Sequence, residues 1–276
     1  MRKIGLSIFL GLLVFITQGQ EPIIYNDLAG KGYYLDTKWG RSYYEVFGEG
    51  DPLIILHGNG GSAKSKRHMA AQFADDQMVI MLDSRCHGKS TCPEEDLDYF
   101  ELAEDAYRLM EHLGYEKYMI WGHSDGGILG LILGYTHTDK IDRMVLSGAN
   151  AYIGGLEPEL VKFISDYEKV KDPALRKQVK LMYDQRPIPM HELRKVNVPV
   201  LLMVGDRDAV LLAHTVEMFH TLPMAQLCVL PGTTHFIENE KKDQLVFWVN
   251  EFRKPFSTPS TLSVVERVAQ SLFGDQ

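Results

Sequence analysis

Tyr118-Met119-Ile120-Trp121-Gly122-His123-Ser124-Asp125-Gly126-Gly127 is the stretch on which the fold turns. Tyr118–Trp121 is a continuous apolar run of strand type, and Ile128–Tyr135 an apolar run of helix length. Gly122 to Gly126 joins them in the pattern G-x-S-x-G. A strand-to-helix turn tight enough to lift a serine hydroxyl above a sheet needs small residues on both sides, and glycine supplies them. An ordinary N-cap serine would account for Ser124 but not for the flanking glycines.

Outward from this turn the same alternation repeats. Upstream, Leu53–Leu56 and Met78–Leu82 are buried-type runs, separated by a glycine-rich loop and a segment, Lys64–Phe73, suited to a helix. Leu102, Ala106, Leu109 and Leu113 recur at helical spacing, so Tyr99–Leu113 is expected to be a helix ended by Gly114. Downstream, Met144–Leu146, Val198–Val204 and Leu227–Leu230 read as further strands. Near the start, Tyr33–Leu35 and Ser42–Phe47 are β-prone and separated by the turn signal Trp39-Gly40. Strands apolar throughout are buried on both faces, and their alternation with helices predicts an α/β fold on a mostly parallel central sheet. The alternation breaks once, over residues 152–190, where charged helical sequence (Glu159 to Tyr183) and a proline-rich exit, Arg186-Pro187-Ile188-Pro189, leave the sheet after its sixth strand. Residues 255–276 form a tail in which Val265, Val268 and Leu272 mark one helix face, expected to pack on the body or on a second copy.

A serine hydroxyl is a weak nucleophile until a base takes its proton, and the base needs a third group to hold its tautomer. Two later loops offer those groups where parallel strands end. Asp206 and Asp208 follow the strand ending at Val204-Gly205, and His235 closes Pro231-Gly232-Thr233-Thr234-His235. His214 and His220 fall on an expected helix, His191 in the insertion exit, and His57 and His123 inside other motifs.

With these pieces in view, the chain resembles the α/β-hydrolase family over nearly all of residues 20–276. The likeness is carried by His57-Gly58-Asn59-Gly60-Gly61, Asp83-Ser84-Arg85-Cys86-His87-Gly88-Lys89-Ser90, Gly122 to Gly127, Gly205-Asp206-Arg207-Asp208 and Pro231 to His235. The resemblance implies Ser124 as nucleophile, His235 as base and Asp208 as the acid, with Asp206 as the alternative. It implies an oxyanion hole from the backbone N–H groups of Asn59 and Asp125, and a short helical lid over residues 152–190. Cys86 stands where many relatives carry glycine. The Ser124-Asp125-Gly126-Gly127 run is similar to the valacyclovir-hydrolase branch, where the acidic residue binds a substrate amine; the plainer reading gives Asp125 only its N–H and a surface carboxylate. The expected activity is hydrolysis of carboxylic esters of small or medium acyl groups; the alternatives are amide, thioester or lactone cleavage, including aminoacyl-ester or peptidase-like activity, and ligand binding without turnover. No metal or organic cofactor is required.

Competing chemistries share some of these residues. Gly58-x-Gly60-x-x-Ala63, with Asp83 about 20 residues on, satisfies a dinucleotide-binding fingerprint and nearly spells a phosphate loop before Lys64-Ser65. Either reading leaves Ser124, Asp208 and His235 unexplained.

The N-terminus has the three parts of a secretory leader: Arg2-Lys3, the apolar Ile4–Ile16, and the small-residue Thr17-Gln18-Gly19. Its expected removal as residues 1–19 takes two of 29 basic residues against 37 acidic ones, moving the net charge from −8 to −10. So acidic a chain repels phosphate backbones and anionic lipid, which argues against nucleic acid or stable membrane association and for a small-molecule substrate in the periplasm or outside the cell. In such a compartment Cys86 and Cys92, on one loop, are free to bridge, though neither residue type nor spacing demands it. Cys228 reads as a small core residue. Nothing in the sequence sets the oligomeric state.

Overall fold

The computed structural model describes residues 30–273, so the expected leader lies outside it. Among the described residues one mixed sheet runs in the order β1-β2-β4-β3-β5-β6-β7-β8. Its strands are β1 (Lys31–Thr37), β2 (Gly40–Phe47), β3 (Asp51–Leu56), β4 (Gln77–Leu82), β5 (Tyr118–His123), β6 (Ile141–Ser147), β7 (Val200–Gly205) and β8 (Ala225–Leu230). β1 and β2 form an antiparallel hairpin, β2 pairs antiparallel with β4, and β3 to β8 run parallel. β1 is longer than its three-residue apolar signature because an exposed edge strand needs little apolar sequence. β5 and β7 are buried at every position, as their unbroken apolar character requires.

Helices cover both faces: α1 (Ala63–Ala70), α2 (Tyr99–His112), α3 (Asp125–Thr136), α4 (Pro158–Ile164), α5 (Pro173–Tyr183), α6 (Leu212–Thr221), α7 (Ile237–Glu240), α8 (Lys242–Arg253) and α9 (Thr261–Phe273). α2 and α3 close one core, with Leu102, Ala106 and Leu109 against Ile54, Ile80 and Ile120. α1 and α8 close the other, where Met69, Leu245 and Val249 meet Leu53, Val79 and Trp121. Asp98 starts α2 by accepting the N–H groups of Phe100 and Glu101, which would otherwise lack partners. α3 begins at Asp125, three residues before its apolar run, because the glycines after Ser124 are already helical. At Gly126 an added Cβ would lie 2.0 Å from the Leu56 carbonyl oxygen, so only glycine lets this helix sit on the end of β3.

Residues between β6 and β7 hold two helices, α4 and α5, each begun by a proline at its first turn. Leu156, Ile164 and Val179 of this insertion form a small core with Val210 from the loop after β7. Cys86 and Cys92 are joined in a disulfide, so the pairing the spacing left open is made. Cys228 is half-buried rather than a full core residue. The tail helix α9 is exposed along Leu262, Val265, Val268 and Leu272, so its apolar face does not pack on the body as one of its two expected dockings required. No described helix is long and apolar enough to cross a membrane.

Candidate active site

Parallel strands lying together in the sheet end at one rim, and the loops leaving β3, β5, β7 and β8 bring Asn59, Ser124, Asp208 and His235 there. Ser124 sits between β5 and α3 at φ 55° and ψ −119°, a left-handed conformation that a residue with a Cβ adopts at a cost of about 1–3 kcal/mol. The turn holds it there: its N–H donates to Ser147 O at 2.8 Å and its carbonyl accepts from Ile128 N at 3.0 Å. The side chain therefore stands off the sheet instead of capping the helix.

His235 Nε2 lies 2.8 Å from Ser124 Oγ, and His235 Nδ1 lies 2.6 Å from Asp208 Oδ1. A carboxylate can only accept, so Nδ1 carries the proton and Nε2 is left to accept from the serine hydroxyl. Burial disfavours the imidazolium, but the charge and hydrogen bond of Asp208 outweigh it, and the His235 pKa is raised above 6.5. Burial likewise pushes Asp208 up, yet His235 and the N–H groups of Val210 and Gly205 hold its carboxyl below the ordinary range. Asp208 is thus an anion at neutral pH. Asp206, the alternative acid, does something else. Its Oδ1 accepts Thr233 N–H at 3.1 Å and ties the β7 loop to the His235 loop.

Among the described residues the loop, turn and cap hydrogen bonds leave the backbone N–H groups of Asn59 and Asp125 without a backbone acceptor. An added Cβ on Gly58 would lie 2.8 Å from Ser124 Cβ, so the loop after β3 crosses close to the serine. The Asp125 carboxylate departs from expectation. It is buried, not at the surface, and accepts from Tyr99 Oη at 2.8 Å and Asn59 Nδ2 at 2.9 Å. Burial pushes its pKa up to about 6, with Asn59, Tyr99 and His235 working against the rise. The reason is topological: as the first residue of α3 it points under the loop carrying Asn59, into a space that α2 closes with Tyr99. Asn59 Nδ2 also donates to Gln178 O on α5 at 2.9 Å, so the insertion touches the site directly.

The other histidines at this rim are scaffolding. His57 donates from Nδ1 to Gly58 O at 2.8 Å and accepts Ser84 N–H at Nε2, 3.1 Å, with burial lowering its pKa to about 4. His87 accepts Gly60 N–H at Nε2, 3.1 Å, and burial takes it down to about 3. His123 packs 5.0 Å from the His235 ring and is held neutral by burial. A buried ion pair between Lys66 of α1 and Glu238 of α7 ties the helix after the Asn59 loop to the segment after His235. Tyr99, Gln178, Lys66 and Glu238 were not legible as site residues, because each comes from a helix whose pattern marks only burial. The phosphate-loop and dinucleotide readings meet an obstacle here. Asp83 Oδ1 already accepts Ala63 N–H at 2.5 Å, placing a carboxyl group at the helix start where a phosphate would bind.

The family profile for the alpha/beta hydrolase fold matches residues 51–172. The chain is 28% identical over 222 residues to the human serine hydrolase BPHL, covering 70% of this chain and 76% of that protein. It is 28% identical over 239 residues to the dihydrolipoyllysine-residue acetyltransferase component of the acetoin cleaving system from Pseudomonas putida, covering 74% of this chain but only 64% of that longer protein. The crystal structure of the enol-lactonase from Burkholderia xenovorans LB400 superposes with a TM-score of 0.72 at 19% identity, over 81% of this chain and all of that one. Motif sequence, strand order and these likenesses agree, and the chain has the α/β-hydrolase fold.

Proposed function

We propose that the protein is a serine hydrolase that cleaves carboxylic esters of small or medium acyl groups through an acyl-enzyme. The observation that carries this is the continuous hydrogen-bonded line from Ser124 Oγ through His235 to Asp208. In the mechanism, His235 Nε2 takes the Ser124 proton as Oγ attacks the acyl carbon, and Asp208 stabilises the imidazolium that forms. The Asn59 and Asp125 N–H groups stabilise the alkoxide, each donor being worth about 3 kcal/mol. His235 then protonates the leaving alcohol, and a water activated by the same base releases the acid. The mechanism calls on no metal or organic cofactor.

The insertion over 152–190 acts as the lid in this reading, and its contact with Asn59 through Gln178 supports that placement. It is short, which favours compact acyl groups over long chains. Asp125 is committed to Tyr99 and Asn59, which favours a role under the oxyanion loop over capture of a substrate amine. Export through the N-terminal leader belongs to the same proposal and is supported by the Cys86–Cys92 bridge, which persists in oxidising compartments.

Two measurements test the reading. A fluorophosphonate probe should label the wild type and not Ser124→Ala, and p-nitrophenyl esters should be hydrolysed with rates that fall as the acyl chain lengthens. Labelling of Ser124→Ala, or a panel of esters left untouched beside a hydrolysed set of aminoacyl esters, contradicts it. The pH profile is a separate expectation. Only neutral His235 can act as base, so kcat/KM should fall as pH drops, with a midpoint above 6.5 because Asp208 raises the pKa. Full activity at pH 4 would refute a histidine base.

A further inference from the structure

The Cys86–Cys92 disulfide lies outside the reacting atoms, yet two lines of contact run from it to the oxyanion loop. Cys86 is buried and left-handed, at φ 63°, a conformation unfavourable for a residue with a Cβ. The bridge to exposed Cys92 and its own N–H bond to Thr91 O at 3.2 Å hold it there. Its carbonyl accepts Gln178 Nε2 at 2.5 Å, and the Gln178 carbonyl in turn takes Asn59 Nδ2 at 2.9 Å. That is the first line. The second passes through the neighbouring residue: His87 Nε2 accepts Gly60 N–H at 3.1 Å, and Gly60 follows Asn59. The loop over 86–98 also anchors α5, since Lys177 Nζ donates to the carbonyls of Pro93 and Glu94 at 2.5 Å and Lys180 pairs with Asp96 at 2.9 Å. Asn59 is therefore held from both sides by groups whose common support is the backbone at Cys86.

We infer that this disulfide is a redox-sensitive positioning element for the oxyanion hole: bridged, it holds the Asn59 loop in place through Gln178 and His87; reduced, it lets the loop shift and slows turnover without unfolding the chain. The inference rests on the serine-hydrolase reading above. The reductant is a dithiol. One thiolate attacks the exposed Cys92 sulfur and displaces the Cys86 thiolate, forming a mixed disulfide; the second thiol resolves it. Cys86 and Cys92 end as thiols, and the reagent carries away the disulfide, two electrons having passed. Freed of the bridge, Cys86 relaxes out of its left-handed conformation and its carbonyl leaves Gln178.

The test uses the full chain with p-nitrophenyl acetate, before and after dithiothreitol, with thiol titration to count the cysteines released. Reduction should lower kcat about 10-fold, a fraction of the effect of losing an oxyanion donor, with KM changed by less than about 2-fold and circular dichroism unchanged. Reoxidation should restore it. Cys228→Ser should respond as the wild type does. Gln178→Met, which keeps the carbonyl to Asn59 but loses the bond to Cys86, should start slower and lose less on reduction, because coupled groups are not additive. Unchanged kcat with both thiols free overturns the inference, as does a loss that tracks unfolding, or a full second loss in Gln178→Met. If the Cys86→Ala/Cys92→Ala variant does not fold, reduction of the wild type still decides. An oxidised enzyme that a fluorophosphonate fails to label would sink the functional reading and this one with it; labelling at an equal rate before and after reduction sinks this one alone.

Discussion

Ser124→Ala is expected to lower kcat for a p-nitrophenyl ester by about a millionfold, or about 8 kcal/mol of transition-state stabilisation. The size follows from what stays behind. In the proposed mechanism the Asn59 and Asp125 amides remain to stabilise the alkoxide, so a residual rate about 10³- to 10⁴-fold above that of water alone should persist. What disappears is the covalent route, because His235 then has no hydroxyl at 2.8 Å to activate. Folding should be nearly unaffected. The left-handed backbone at residue 124 is imposed by the turn, and alanine carries the same Cβ strain as serine. The check is a single-turnover assay beside a thermal melt: a large fall in rate with an unchanged melt is expected, and a fall of less than about 100-fold would mean another nucleophile does the work.

Asp208→Asn is expected to cost about 10,000-fold in kcat, for a reason that is geometric before it is electrostatic. The carboxylate accepts from Nδ1 at 2.6 Å and so leaves Nε2 as the acceptor facing Ser124. An asparagine amide can donate to Nδ1 instead, which puts the proton on Nε2 and aims it at the serine oxygen. The pH profile should shift as well. Without the anion, burial is the main influence on His235, so its pKa falls and the acid limb moves to lower pH. Asp206→Asn is the contrast. It weakens a tie to Thr233 N–H and leaves the histidine's partner intact, so a loss under about 10-fold is expected. Steady-state rates of both variants between pH 5 and 9 check the pair, and equal losses would mean that the acid had been placed on the wrong aspartate.

The parts of this site readable in the sequence are those whose chemistry forces a local pattern. Gly122 and Gly126 are demanded by the turn at Ser124, Asp208 and His235 by the ends of apolar strands, and the strands by their unbroken apolar runs. Strand ends differ by up to three residues, as at β6, because Arg143 pairs with Met119 and Asp142 falls at a register irregularity, neither leaving an apolar signature. The second layer was not readable. Tyr99 and Gln178 reach Asn59 and Asp125 only after α2 and α5 have packed, and periodicity reports which face is buried, not what that face touches. The same holds for Asp125. A carboxylate at the start of a helix is usually solvated, and here it is buried because the Asn59 loop and Tyr99 close over it. The Cys86–Cys92 bridge needed the shape of the loop over 86–98, which spacing alone does not give.

Ser124 is expected to become covalently acylated during turnover. Rapid acid quench of the wild type with p-nitrophenyl acetate, followed by peptide mass spectrometry, observes this directly. The expected result is a peptide containing Ser124 that carries one acetyl group within the first turnover and loses it as substrate runs out. Steady hydrolysis by an enzyme whose Ser124 peptide never gains that mass, while a burst of p-nitrophenol appears, would contradict it.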